Sequence, residues 1–144
     1  MTHTHAATAA PAGPFGARKD RGKAVNVLLW VMQAFVALGF AFAGVLKLGG
    51  SPVMVDLFTH IGVGQWFRYV IGTLEVAGAV GVLIPLVSGV AALGLTCLMV
   101  GATVTNLFVI DESAAVPLAN LLLAALIAWG RWPRTRALID RFAG

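Results

Sequence analysis

Long apolar runs, each closed by a short polar break, dominate this chain. They cover about 25–48, 68–87, 89–110 and 114–130, and the breaks carry glycine, proline or charge. A helix needs roughly 20 apolar residues to cross the hydrocarbon core of a bilayer. The first three runs are long enough, and the fourth needs a thinned bilayer or shielding by its neighbours. Within lipid every backbone N–H and C=O must be satisfied inside its own segment, so the runs are read as helices. The pattern predicts an all-α integral membrane four-helix bundle over residues 24–132. A disordered basic tail is expected over 1–23 and a short basic tail over 133–144.

The break between the first two runs has a period of its own. In SPVMVDLFTHIG, from Ser51 to Gly62, Met54, Leu57, Phe58 and Ile61 recur at helical spacing. Ser51 is placed to cap such a helix, Pro52 to open it and Gly62 to stop it. The spacing predicts a short amphipathic helix in the outer loop, apolar face toward lipid or the bundle, with Asp56 and His60 on the other side.

Composition strengthens the membrane reading. The chain is 59% hydrophobic and only 11% charged, against roughly 25% charged in ordinary soluble domains. Its net charge of +4 does not point to nucleic acid, because the basic residues gather at the two ends instead of on one face. Arg18, Lys19, Arg21, Lys23, Arg131, Arg134, Arg136 and Arg141 flank the runs, whereas only Lys47 and Arg68 fall on the far side. Eight against two predicts that both termini are cytoplasmic. The basic start and the apolar run after it imitate a secretory leader, but the run exceeds a leader's apolar core and is expected to be retained. The single cysteine, Cys97, excludes an internal disulfide or thiol relay and reads as packing. His3 with His5, and Asp56 with His60, are pairs too small for a metal site, so none is expected.

The informative residues are the polar ones inside the runs. Glu75 lies roughly 10 Å down the second helix from Arg68 and on the same face. Gly72 lies between them. Lys47 closes the first run, Asn106 lies near the outer end of the third with Thr103 one turn in, and Asn120 lies inside the fourth. These six residues form the expected polar cluster, all in the outer half, while the inner half offers almost none. A carboxylate inside a span costs on the order of 3 kcal/mol at the centre. One reading makes Glu75 a lock between helices, paired with Lys47 or Arg68. The other makes it part of a polar cavity that binds a headgroup or exchanges a proton.

The pieces GFAFAGVLKL (Gly39–Leu48), VDLFTHIGV (Val55–Val63), YVIGTLEVAGAVGVLIPL (Tyr69–Leu86) and TVTNLF (Thr103–Phe108), in that order, resemble the DoxX-like family of small four-span bacterial membrane proteins. The resemblance implies a four-helix membrane bundle in a bacterial cytoplasmic membrane. Some members are subunits of thiosulfate:quinone oxidoreductases, and others are linked to oxidative-stress complexes. No flavin motif, paired haem histidines or redox cysteine pair is visible in this chain, so no cofactor is identifiable, though a quinone fits the resemblance. We expect a protein that is non-catalytic alone and binds a lipid- or quinone-like molecule, or supports a membrane redox complex, through the outer cluster. Its expected partners are the bilayer, subunits of such a complex or further copies of itself. Two alternatives stay open: a subunit of a quinone-linked membrane oxidoreductase with Glu75 as proton donor or acceptor, and a small oligomeric transporter. Whether the chain catalyses a reaction does not follow from these residues.

Overall fold

The computed structural model describes residues 15–144, with side chains from residue 22 onward. Six helices follow one another: α1 (Phe15–Leu48), α2 (Pro52–Ile61), α3 (Gln65–Leu83), α4 (Ser88–Phe108), α5 (Ala115–Gly130) and α6 (Trp132–Ala143). The four longest form a bundle in which α1 packs on α3 and α5, and α4 packs on the other sides of α3 and α5. Their shared core contains Val36, Ala37, Phe40, Ala79, Val82, Ala92, Leu95 and Ile127. Large apolar side chains also cover the outside, among them Phe35, Leu38, Phe42, Val80, Val104 and Leu122. Helices that are apolar all round belong in lipid. α1, α3 and α4 are long and apolar enough to cross a membrane, and α5 reaches that test only together with α6, from which it bends by 62°. This is a membrane protein.

The tails differ from the sequence expectation. Residues 1–14, with His3 and His5, lie outside the described residues. From Phe15 the backbone is already helical and runs without interruption into the first apolar run, so the expected tail at 15–23 continues α1. At the other end, residues expected as a simple basic tail fold as α6. Pro133 suits the first turn of a helix, and Thr135 is buried against Gly89 of α4.

α2 is found where the spacing places it. Gly62 ends it in the left-handed region at φ 80°, and Ser51 makes no side-chain cap bond. Phe58 is buried and meets Phe67 of α3 at 6.0 Å between ring centres. Asp56 and His60 are exposed. The helix thus lies across one end of the bundle, called here the α2 end; the termini mark the opposite end.

A close helix contact sits just below α2. An added Cβ at Gly44 would lie 2.7 Å from Val76 Cγ2 and 2.8 Å from the Gly72 carbonyl oxygen, and one at Gly72 would lie 3.0 Å from Lys47 Cβ. Small residues let membrane helices approach this closely. Gly44→Leu is expected to destabilise the bundle by about 1–3 kcal/mol through overpacking, read as an earlier thermal melt in detergent. Gly39→Leu, on the same helix but with open space at its Cβ, should melt as wild type does.

Candidate functional site

Glu75 is 3% exposed on the face of α3 that turns inward. Its carboxylate accepts from Lys47 Nζ at 2.8 and 3.0 Å, one bond to each oxygen. Lys47 reaches it from the last turn of α1, across the glycine contact, so the backbone approach at Gly44 and Gly72 sets the ion-pair distance. Burial makes the pair matter: a charge stranded in such a place is far more costly than one facing water.

The pair closes one end of a cavity of about 1010 Å³ between α1, α3, α4 and α5, roofed by Leu57, Phe58 and Ile61 of α2. Most of the lining is apolar, from residues such as Phe40, Ile71, Leu95, Leu98 and Met99. Leu74, Ala77, Gly94, Cys97 and Gly101 line it and are also exposed. They lie on α3 and α4, so the cavity opens sideways between these helices, toward the surrounding lipid. Cβ atoms added at Gly94 and Gly101 would meet nothing within 4 Å. An apolar body with a few convergent polar groups is the usual make-up of a small-molecule site.

Of the six residues expected to cluster, four share this cavity: Lys47, Glu75, Asn106 and Asn120. Asn106 also donates from Nδ2 to the Ser113 carbonyl at 2.9 Å, tying the α4–α5 loop. Asn120 makes no side-chain hydrogen bond among the described residues, which leaves its amide available to a ligand. Arg68 and Thr103 do not line it. Arg68 is buried on the Glu75 face, but it donates to the Lys47 carbonyl and to Gln65 Oε1 and lies 4.3 Å from the Tyr69 ring centre. The last carbonyls of a helix lack intrahelical donors, so the C-terminus of α1 takes the guanidinium. Thr103 donates to the Met99 carbonyl at 2.7 Å within its own helix, which satisfies its hydroxyl locally. Cys97 is exposed at the opening, not buried packing.

The expectation that the inner half holds almost no polar groups is overturned. Gln33 is fully buried in α1 and donates to the Val82 carbonyl. Its Oε1 accepts from Arg131 Nε at 2.9 Å and Nη2 at 2.6 Å, while Arg131 Nη1 donates to Asn26 Oδ1 at 2.8 Å. Arg131, 3% exposed, lies 5.6 Å from the Trp30 ring centre. The positive-inside count assigns Arg131 to orientation alone, yet the bend between α5 and α6 turns it inward to join three elements. The signal in the sequence is Asn26 and Gln33, seven residues apart and so on one face of α1. Among the described residues no three of His, Cys, Asp and Glu come together as a metal site.

In comparisons with known proteins, the model of the DoxX-like family matches residues 31–129, well over half of the chain. That span holds Gln33, Lys47, α2, Glu75 and both asparagines of the cavity. No curated protein and no solved structure matches the chain.

Proposed function

Because the chain belongs to the DoxX-like family, we propose that it works in the bacterial cytoplasmic membrane by holding one lipid- or quinone-like molecule in the cavity under α2, alone or as a subunit of a membrane redox complex. The observation that carries this reading is the cavity's polarity. It is large and apolar, opens toward lipid between α3 and α4, and has Lys47, Glu75, Asn106 and Asn120 to meet a polar head. A carbonyl- or hydroxyl-bearing ring, or an ester headgroup, would find a donor in Lys47 or Asn120 and an acceptor in Glu75, while its chain would lie along Leu98 and Met99. The charge asymmetry supports four spans with both termini cytoplasmic, which puts this head-binding end in the outer leaflet.

A second reading has Glu75 exchange a proton with a bound quinone. It is favoured by one observation: the buried carboxylate has Lys47 as its only hydrogen-bonding partner among the described residues.

The test is extraction and mass-spectrometric identification of small molecules that co-purify from native membranes. Wild type is expected to carry one amphiphile at near-equimolar amount. Gly94→Phe, whose Cβ would meet nothing within 4 Å at the cavity opening, should fold normally and lose it. Equal recovery from both would refute the cavity as the binding place. If a quinone is bound, its retention by Glu75→Gln with loss of its reduction would favour proton exchange over simple binding.

A further inference from the structure

α6 and the turn between α3 and α4 line a shallow open groove at the terminal end. It has a volume of about 420 Å³ and is lined by Pro85, Leu86, Arg134, Ala137, Leu138 and Arg141. Four of these residues are apolar and two bring guanidinium groups. Arg134 and Arg141 are seven residues apart, which puts them on one side of α6, roughly 10 Å apart along its axis. Both are exposed, and neither pairs with a carboxylate among the described residues. α6 and the turn before it carry Arg131, Arg134, Arg136 and Arg141 against one carboxylate side chain, Asp140. The local balance is short of negative charge.

The surroundings say which anion would supply it. Leu86, beside the two arginines, is 55% exposed, and Phe142, next to Arg141, is 85% exposed. α6 therefore presents apolar and basic groups together. The 62° bend turns its 12 residues away from the α5 axis and along the end of the bundle, the posture of a helix that lies in a membrane interface. A free anion would satisfy the arginines and leave the apolar residues in water. A phospholipid satisfies both, with its phosphate on the guanidinium groups, which match phosphate geometry, and its acyl chains along Leu86 and Leu138.

We propose that α6, with the α3–α4 turn, binds the headgroup of an anionic phospholipid through Arg134 and Arg141, at a site separate from the cavity under α2. Basic pockets beside membrane helices are suited to such headgroups.

The full chain is reconstituted in phosphatidylcholine bilayers containing a minor fraction of phosphatidylglycerol, then re-extracted in mild detergent, and the co-eluting lipid is measured by mass spectrometry. Phosphatidylglycerol should be enriched on wild type over its share of the bilayer. In the double variant Arg134→Gln/Arg141→Gln the enrichment should fall about tenfold or to the bulk ratio, the loss expected for charge-assisted hydrogen bonds. Arg136→Gln removes the same charge from another side of α6 and should leave it intact. Excess inorganic phosphate should not displace the lipid. Absence of enrichment on wild type, an equal loss in Arg136→Gln, or displacement by phosphate would each overturn the proposal, the last pointing to a soluble-anion site. Each single variant is measured with its own melting curve, so a folding defect in the double variant cannot stand in for lost binding.

Discussion

Replacing Glu75 with leucine is expected to destabilise the protein by about 3–5 kcal/mol, because it strands the Lys47 ammonium without its buried partner. The readout is reversible unfolding in mixed micelles, followed by helical circular dichroism. Lys47→Met should cost at least as much as Glu75→Leu, because it strands the more deeply buried of the two charges. Lys47 sits in the last turn of α1, and its side chain is 12% exposed against 4% for Glu75, so this end of the pair is nearer the surface. Glu75→Gln separates structure from chemistry, since the amide keeps the shape and can still hydrogen-bond. A variant that folds and binds its ligand normally would reduce Glu75 to a packing residue. Stability in Glu75→Leu within about 1 kcal/mol of wild type, the worth of an exposed ion pair, would mean that the pair is not buried as described.

The second large effect is expected at the terminal end. Gln33→Leu removes the acceptor of two Arg131 hydrogen bonds and the donor to the Val82 carbonyl. Hydrogen bonds to charged groups are worth about 1.5–3 kcal/mol each, so a loss of about 3 kcal/mol is expected, together with loosening of α6. Gln33→Glu supplies Arg131 with a carboxylate but sets an oxygen that cannot donate against the Val82 carbonyl, so it should recover only part of that stability. Protease sensitivity within α6 would report the loosening. If Gln33→Leu melts like wild type, the buried network carries little of the fold.

That Glu75 pairs with a cation of its own end of the bundle was legible in the sequence, because lipid leaves a buried carboxylate few possible partners. The choice between Lys47 and Arg68 was not. Both lie within reach in sequence terms, and what separates them is the open C-terminus of α1, whose carbonyl draws the Arg68 guanidinium away. α2 was legible from four apolar positions and a glycine stop. α6 is not apparent from a count of its arginines, although Trp132, Thr135, Leu138, Ile139 and Phe142 repeat with a helical period in the same stretch. The Gln33 network stayed hidden for a related reason. A lone glutamine in an apolar run gives no hint of its partner, and Arg131 lies 98 positions away in the chain, brought in by a bend that local patterning does not encode. Thr103 shows the converse limit: a hydroxyl in a helix can satisfy itself on its own backbone, so depth alone does not put it in a cavity.

Native mass spectrometry of the protein released from mild detergent tests the central proposal most directly, because it counts bound molecules per chain. Among the adducts on wild type, one discrete mass is expected to be lost in Gly94→Phe and kept in Arg134→Gln/Arg141→Gln. A spectrum of the bare chain from native membranes, or a set of adducts unchanged in Gly94→Phe, would contradict the proposal that the cavity under α2 is a binding site.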